Sequence, residues 1–311
     1  MSQFSLFRRL FGRFASNDSS AEASDSYDKA KQLWGDNAAA LVRKSLPSSW
    51  AECPFVLEEY INPLVSRSNP PKDWLSSIAN TYFPEPVPRV LSLGCGSGGL
   101  ERHGLDLKIT EQFDALDFSP QAIEVAKKEA KKLFGSRNIS YQVADLNQPS
   151  LDAEFYDAVF ASQSVHHIEN LEGYVSEVHK TLKPGGLFIV NEYIGPNQFQ
   201  WTDVQYETAQ QMLLGIPLHY RAMIREEGTK EKVGRPTIEE MNAYDPTEAI
   251  RSEDIVPLLE QHFEIIDRRD FGGTLLHLVL DNIAGNLSQD EEGKSILRNM
   301  FAEEQRLIAA G

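Results

Sequence analysis

Residues 89–99 read RVLSLGCGSGG, a short apolar run that ends in a cluster of glycines. An apolar run of this length bounded by glycine is typical of a buried strand in a parallel sheet. Glycine permits positive φ and lets a ligand approach the backbone closely, so the turn after the strand can hold a small molecule. Doubly wound folds bind cofactors at such a turn, at the carboxyl end of the first strand.

The sequence beyond this turn alternates between strand and helix patterns. Ser119 can cap a helix that has Pro120 at its first position. Such an alternation predicts a parallel sheet with helices on both of its faces. The expected strands are 89–93, 113–117, 139–144, 156–161 and 187–192, and the expected helices between them are 119–134 and 171–182.

The alternation lapses after residue 195 and returns near the end of the chain. There we expect a helix at 252–261 and strands at 263–268 and 274–280, joined as an antiparallel hairpin through residues 271–273. The predicted fold class is therefore α/β, with a doubly wound, seven-stranded, mostly parallel sheet and an antiparallel last strand. The predicted parts are an N-terminal arm with a polar linker (1–26), a helical cap (27–88), a cofactor-binding core (89–195), a substrate lid inserted between strands 5 and 6 (196–251), and the end of the sheet with a C-terminal helix (252–311).

The glycine spacing alone fits two classes of cofactor. Residues 94–99, GCGSGG, match the dinucleotide pattern G-x-G-x-x-G and also the G-x-G-x-G pattern of S-adenosylmethionine sites. Asp117 ends the second predicted strand, where a carboxylate can accept hydrogen bonds from both ribose hydroxyls of either cofactor. Asp145 and Leu146 follow the third strand, where an acid suits an adenine amino group and a leucine packs the ring. This second acid favours S-adenosylmethionine.

Three further segments occur in order after these: YDAVF at 156–160, HHI at 166–168 and LKPGG at 182–186. Taken together, residues 89–193 resemble the class I S-adenosylmethionine-dependent methyltransferases. The resemblance implies S-adenosylmethionine as the cofactor. The implied cofactor-binding residues are Gly94, Cys95, Gly96 and Gly98 in the turn, Asp117 at the ribose, Phe118 on the adenine, Asp145 and Leu146 at the adenine amino group and ring, and Ala161 at the methionine amino group.

One position departs from the family pattern. Ser92 stands where many members carry an acid, two residues before the first glycine. Loss of that carboxylate weakens one cofactor contact without removing the glycine turn. Glu101, a few residues further on, could take its place.

Methyl transfer from a sulfonium is an in-line displacement with a neutral leaving group, so positioning and exclusion of water can supply most of the catalysis. A base is needed only when the nucleophile is protonated and weakly acidic. His166 and His167 are the candidate catalytic residues, because imidazole titrates near neutral pH. The alternative is that this pair shapes the floor of the pocket without moving protons.

The insertion after the fifth strand supplies candidate substrate contacts. Family members often place a substrate lid there, and aromatic residues with a few polar ones suit a ring-shaped acceptor. These residues also suit packing between the lid and the core. The candidates are Tyr193, Trp201, His219, Tyr220 and Arg221.

Charge and composition exclude several other classes. The 311 residues carry a formal charge of −16, which repels phosphate backbones and makes nucleic-acid binding unexpected. The two cysteines form neither a disulfide framework nor a metal cluster, which fits a reducing cytoplasm, and we expect no metal site. Residues 4–14 combine phenylalanines with arginines at helical spacing, so this arm can make weak contact with a membrane surface; the alternative is a frayed tail.

The sequence thus predicts a cytoplasmic methyltransferase that acts on a small molecule or glycan, most simply at oxygen. Two alternatives stay open. An NAD(P)-dependent oxidoreductase would use the same glycines and Asp117 but would leave Asp145 without a role. A non-catalytic module could use the fold to bind a partner.

Overall fold

A computed structural model describes residues 46–134 and 138–310. The predicted N-terminal arm and linker, including the membrane-surface contact of residues 4–14, lie outside the described residues. Within the described ranges, no helix combines the length and the apolar character needed to cross a bilayer.

The central sheet consists of five parallel strands in the order β3-β2-β1-β4-β5. Because all five strands run in the same direction, their carboxyl ends meet at one edge of the sheet, with β1 at the centre. The strands are β1 (Val90–Leu93), β2 (Phe113–Asp117), β3 (Ile139–Val143), β4 (Tyr156–Ser162) and β5 (Leu182–Asn191).

Twelve α-helical segments accompany the sheet in the described part of the chain. They are α1 (Pro54–Val56), α2 (Asn62–Val65), α3 (Trp74–Tyr82), α4 (Gly99–Asp106), α5 (Pro120–Phe134), α6 (Leu171–Thr181), α7 (Asp203–Gly215), α8 (Ile238–Tyr244), α9 (Ile255–His262), α10 (Leu276–Leu280), α11 (Ala284–Leu287) and α12 (Glu291–Ala310). A π-helical turn (Leu57–Ile61) joins α1 to α2, and short 3₁₀ turns occur at Trp50–Glu52, Val165–His167, Asn197–Phe199, Leu218–Arg221 and Ser252–Asp254.

Helices cover both faces of the sheet, as the strand–helix alternation predicts. On one face, Leu171 and Tyr174 of α6 and Ile255 of α9 pack with buried residues of β1 and β4. On the other face, Leu75 of α3 packs with Phe160 of β4. The helix α5 also begins as expected, because the Ser119 hydroxyl accepts a hydrogen bond from the Ala122 amide at 3.2 Å. The α/β architecture is therefore confirmed.

A separate apolar core joins three distant parts of the chain. It contains Tyr60 from the N-terminal helices, Leu213 from α7, and Leu276 and Phe301 from α10 and α12. The segment 196–251 thus packs on both the N-terminal and the C-terminal helices. Part of it is more ordered than the polar sequence at 226–245 suggests, because Thr237 and Glu240 form a capping box at the start of α8.

The predicted sixth and seventh strands are wrong. Residues 264–273 form no strand, and the apolar run LLHLVL at 275–280 is the buried helix α10, so the described residues contain no antiparallel last strand. Short apolar runs suit a buried helix as well as a buried strand. Two charged residues far away in the sequence favour the helix over the strand here. Glu304 accepts hydrogen bonds from the Leu275 and Leu276 amides, and Lys230 donates to carbonyls at the other end of α10.

Strand β5 also begins earlier than expected. It includes LKPGG at 182–186, residues that lie at and just after the end of the predicted helix at 171–182 and before the predicted strand at 187–192. An irregularity in the β4–β5 pairing between Tyr156 and Ala158 accommodates these residues. An ion pair of 2.8 Å between Lys183 Nζ and Asp157 Oδ1 links the two strands at this point.

Candidate active site

The glycine turn is tied to two neighbouring strands. The amides of Gly94 and Cys95 both donate to the Leu116 carbonyl of β2, at 2.8 and 3.0 Å. A Cβ atom on Gly94 would collide with Ser164, which follows β4 and donates from its hydroxyl to the Leu93 carbonyl at 2.9 Å. The turn therefore needs glycine at 94 both for its φ of +75° and for the close approach of the β4 segment.

Asp117 holds the turn from the end of β2. Its Oδ2 accepts a hydrogen bond from the Gly96 amide, and its Oδ1 accepts one from the Ser119 amide, both at 2.8 Å. Burial raises the pKa of this carboxyl, while the two backbone hydrogen bonds oppose that effect. Asp117 thus lies beside the glycine turn with backbone amides as its described partners, and its contact with the ribose stays a prediction.

Gly96 and Gly99 have free space beside them, whereas Gly94 and Gly98 do not, and of the two only Gly96 has a positive φ. Gly96 has φ of +52°, and a Cβ atom built on it would meet no described residue within 4 Å apart from its chain neighbours. By contrast, a Cβ atom on Gly98 would collide with the Tyr141 hydroxyl. An exposed backbone at the carboxyl end of β1 with free space beside it fits the methionine part of S-adenosylmethionine.

Glu101 is a fully buried acid in the first turn of α4, directly after the glycine turn. Neither of its carboxylate oxygens makes a hydrogen bond of ordinary geometry within the described residues. Burial raises its pKa to about 7, although the Ser92 hydroxyl acts in the opposite direction. An acid in this position fits a cationic group of the cofactor. Glu101 could therefore take the role of the acid that many family members carry at the position of Ser92.

The remaining predicted cofactor residues lie along the same edge of the sheet. Ala161 is buried near the end of β4 and pairs with Leu93 of β1. Leu146 is buried, whereas Asp145 is exposed and its Oδ1 accepts a hydrogen bond from the Asn147 amide at 2.9 Å. Phe118 is half-buried after β2. These positions agree with a cofactor that extends from β1 toward β3, and the individual contacts remain predictions.

The two candidate catalytic histidines have different surroundings. His166 is completely buried, and its Nδ1 is bonded to Glu192 at the end of β5. Burial lowers the pKa of His166, but the charge and hydrogen bond of Glu192 outweigh that effect and raise it. His167 has 16% of its side chain exposed, and burial together with the charge of His166 lowers its pKa. Of the two, only His167 has solvent access.

Sequence reasoning missed Glu248 in the same cluster. Its Oε1 lies 3.6 Å from His166 Nε2, and its Oε2 lies 3.9 Å from His167 Nε2. Burial raises the pKa of Glu248 to about 8, although the charge of His166 opposes it. The loop that carries Glu248 comes about eighty residues after the histidines, so only the fold brings the three side chains together.

The candidate substrate residues separate into two groups. Tyr193 packs edge-on against Phe199 with ring centroids 5.1 Å apart, and Phe199 stacks on Trp201 at 5.4 Å, so these aromatic residues follow β5 together. Tyr220 instead donates from its hydroxyl to Asp290 Oδ1 at 2.5 Å, just before α12. His219 packs on Tyr220, and Arg221 follows in the same 3₁₀ turn.

Comparison with known proteins agrees with the geometry. Residues 91–190 match the family model described as "Methyltransferase domain". The chain is 30% identical over 181 residues to 2-phytyl-1,4-naphtoquinone methyltransferase of Nostoc sp., which covers 54% of this chain and 75% of that protein. It is 33% identical over 149 residues to sterol 24-C-methyltransferase of Candida albicans, which covers 46% of this chain and 38% of that protein.

The match to the sterol enzymes thus spans well under half of their length. A solved structure described as the 4+2 cyclase SpnF shares the fold over 92% of this chain and 87% of that chain, at 15% identity and a TM-score of 0.50. Because a fold of this kind hosts different reactions, the fold alone does not assign one. The match to the methyltransferase domain and the identity to the naphthoquinone enzyme over 75% of its length show that the chain belongs to the class I S-adenosylmethionine-dependent methyltransferases.

Proposed function

We propose that this protein transfers a methyl group from S-adenosylmethionine to a small, largely apolar acceptor. The open space beside Gly96 is the observation that carries the proposal, because it leaves backbone groups accessible at the carboxyl end of β1. Asp117 fixes that backbone through the Gly96 amide, so the turn is already ordered before a cofactor binds. A pre-ordered site loses less conformational entropy when it binds its ligand.

Three parts of this chain would contact the cofactor. The turn would hold the methionine part, and Glu101 would face its ammonium group in place of the acid that Ser92 lacks. Leu146 would pack against the adenine. When bound, S-adenosylmethionine supplies an electrophilic methyl group on a sulfonium; the protein positions the acceptor in line with it and excludes water.

An apolar acceptor is supported by the residues after β5 and by the relatives. Phe199 and Trp201, at the start of the 196–251 segment that we propose as the substrate lid, are buried in the apolar core and pack behind Tyr193. The half-buried Tyr193 is therefore the aromatic residue that we propose as the contact for an acceptor. The matched relatives carry the names of sterol and naphthoquinone methyltransferases. Tyr220 and Arg221 have a less direct part in acceptor binding in this proposal, because the Tyr220 hydroxyl donates a hydrogen bond to Asp290, just before the C-terminal helix.

Oxygen is our first choice of acceptor atom, with His167 as the residue of the histidine pair that can reach an acceptor. The lowered pKa of His167 makes it a poor proton acceptor, so it would orient an acceptor hydroxyl rather than fully deprotonate it. Carbon is the second candidate, because the name of the sterol relative specifies methylation at carbon.

The test is transfer of an isotopically labelled methyl group from S-adenosylmethionine into a lipid and quinone extract, followed by mass spectrometry. We expect label in an apolar product, and fragmentation of that product identifies oxygen or carbon as the methylated atom. A polar sugar product would support the glycan alternative. Label in no product, together with a hydride transferred from NADH, would favour the oxidoreductase. Cofactor binding without any turnover would favour a non-catalytic module.

A further inference from the structure

The cluster of His166, His167 and Glu248 has a feature that methyl transfer does not require. Its three side chains each offer a ligand atom, and these atoms all lie within 4.8 Å of one another. We propose that they form a binding site for a divalent transition-metal ion, for which Zn²⁺ matches the donor set best. This inference does not depend on the proposed methyl transfer, but a bound ion would replace His167 as the group that orients an acceptor hydroxyl, because both ring nitrogens of His167 would then be engaged.

The distances between the donor atoms suit one small cation. Glu248 Oε1 lies 3.6 Å from His166 Nε2, and Glu248 Oε2 lies 3.9 Å from His167 Nε2. Ligands bound tetrahedrally to Zn²⁺ at about 2.0–2.2 Å lie roughly 3.4 Å from one another. The two distances to Glu248 exceed that value by a few tenths of an ångström, and the three donor atoms together, all within 4.8 Å of one another, need shifts of about 1 Å at most to coordinate one ion. Two imidazoles with one carboxylate favour zinc and its neighbours over Mg²⁺ or Ca²⁺.

Both histidines are oriented by the nitrogen that faces away from Glu248. His166 Nδ1 is bonded to the Glu192 carboxylate, and His167 Nδ1 lies 3.1 Å from the Thr247 hydroxyl. An Nδ1–H that donates to these oxygens places the lone pair of each imidazole on Nε2, the nitrogen that faces Glu248. Metal-binding histidines are commonly fixed in this way by a carboxylate or another acceptor on the second nitrogen.

The charges of the cluster also call for a cation. Glu192, Asp245 and Glu248 have 2% or less of their side chains exposed, and together they place three carboxyl groups around two imidazoles. Glu248 Oε1 makes no hydrogen bond within the described residues although it is buried. Burial of a carboxyl oxygen without a hydrogen bond is costly, and coordination to a divalent cation would remove that cost.

The loop that carries Glu248 is fixed against the histidines. Asp245 Oδ1 accepts hydrogen bonds from the Thr247 amide and hydroxyl at 2.9 and 2.6 Å. The Ile250 amide donates to the His166 carbonyl at 3.1 Å. A site built on a fixed loop and a fixed turn needs little rearrangement to bind its ion, so its affinity is higher than that of a mobile cluster.

Three protein ligands leave at least one coordination position open. The partly exposed edge of His167 gives that position a route to solvent, and Ser164, two residues before His166, contacts the glycine turn. The ion would thus lie beside the proposed cofactor site rather than in a remote part of the protein.

The test measures metal binding directly on the full chain after treatment with a chelator. Zn²⁺ titrated by calorimetry should bind with one ion per chain, and Co²⁺ should give the visible absorption of a low-coordinate site. Glu248→Gln should lower the Zn²⁺ affinity by more than about 100-fold, because it removes a ligand charge. Glu192→Gln should lower it by about 10- to 100-fold, the effect expected for a residue that orients a ligand.

His219→Ala is the matched control, since His219 is exposed and distant in sequence from the cluster. It should leave the affinity unchanged. Circular dichroism checks the folding of each variant, and His167→Asn serves as the second ligand variant if Glu248→Gln does not fold. The inference is overturned if the unmodified chain binds no Zn²⁺, or if the ligand variants bind it as tightly as the unmodified chain does. Loss of binding in His219→Ala alone would also overturn it, by identifying adventitious surface binding. S-adenosylhomocysteine binding by the same samples reports separately on the proposed cofactor site.

Discussion

Glu304 and Glu248 are both buried glutamates, but their surroundings differ completely. Glu304 accepts hydrogen bonds from the amides of Gly273, Leu275 and Leu276 and from the Tyr60 hydroxyl, so both of its oxygens are satisfied. Glu248 has an oxygen with no hydrogen bond in the described structure. The first arrangement is that of a structural group, and the second is that of a group prepared for a ligand.

The two ends of α10 explain why Glu304 is structural. Its carboxylate lies at the N-terminus of the helix, and the Lys230 ammonium donates to the carbonyls of Leu278, Val279 and Asp281 at the other end. A negative group at the N-terminus and a positive group at the C-terminus both stabilise the helix dipole. Each charge also satisfies backbone groups that a helix of five residues leaves without partners.

The largest expected effect comes from breaking the satisfied cluster. Glu304→Ala leaves three backbone amides and the Tyr60 hydroxyl without their acceptor. We expect it to lower the free energy of unfolding by about 3–5 kcal/mol, measured by urea denaturation. Glu304→Gln keeps one acceptor oxygen and should cost less. A loss below about 1 kcal/mol in Glu304→Ala would show that the contacts do not hold α10 in place.

Glu101 is a second buried glutamate that can be compared with Glu304. Like Glu248 Oε1, its carboxyl oxygens lack hydrogen bonds of ordinary geometry within the described residues. Its folded-state pKa of about 7 lies above its ordinary value of 4.5, so the neutral form stabilises the fold at low pH. That contribution is lost as the pH rises through about 7, up to roughly 3 kcal/mol. Glu101→Gln stays neutral and should be more stable than the unmodified protein at pH 8, and about equally stable at pH 5.

Urea denaturation of both proteins at the two pH values measures this difference. Equal dependence on pH in the two proteins would mean that the carboxyl is not buried as described. The same variant should bind S-adenosylhomocysteine more weakly, because it lacks the charge that would face the ammonium group.

The smallest effect on stability should come from Glu248. In protein treated with a chelator and kept at pH 5, below the raised pKa of Glu248 of about 8, Glu248→Gln replaces one neutral group by another, so its free energy of unfolding should change by less than about 1 kcal/mol. We therefore expect Glu304→Ala to lower the free energy of unfolding much more than Glu248→Gln does. If Glu248→Gln destabilised the protein as much as Glu304→Ala, the cluster would be a structural network and not a ligand site.

The local parts of this arrangement could be predicted from the sequence. Residues 89–99 predict the first strand and the glycine turn, and Asp117 predicts an acid beside that turn. These predictions succeed because β1 and β2 are neighbouring strands of one parallel sheet. The sequence identified His166 and His167 as candidates, and the structure places them in the 3₁₀ turn after β4, with His166 bonded to Glu192, which follows β5.

The remaining parts depend on contacts between residues far apart in the chain. The run at 275–280 has the composition of either a strand or a buried helix, and the charges that select the helix lie 28 and 48 residues away. Glu248 gave no local signal for the same reason. The glycine pattern could not show that Asp117 would bond to the Gly96 amide, since side-chain direction is set only when the turn has formed.

The most direct test of the account is the binding of S-adenosylhomocysteine to Gly96→Ala and Gly185→Ala. Both glycines have positive φ, and a Cβ atom on either would meet no protein atom within 4 Å, so the two variants carry a similar backbone strain of about 1 kcal/mol. Gly185 lies at the opposite end of the sheet, in the first residues of β5. We predict that calorimetry shows one binding site in the unmodified protein and in Gly185→Ala, and at least about a tenfold loss of affinity in Gly96→Ala, which is about 1.4 kcal/mol. Equal affinities in all three proteins, or no binding to the unmodified protein, would contradict the assignment of the glycine turn as the cofactor site.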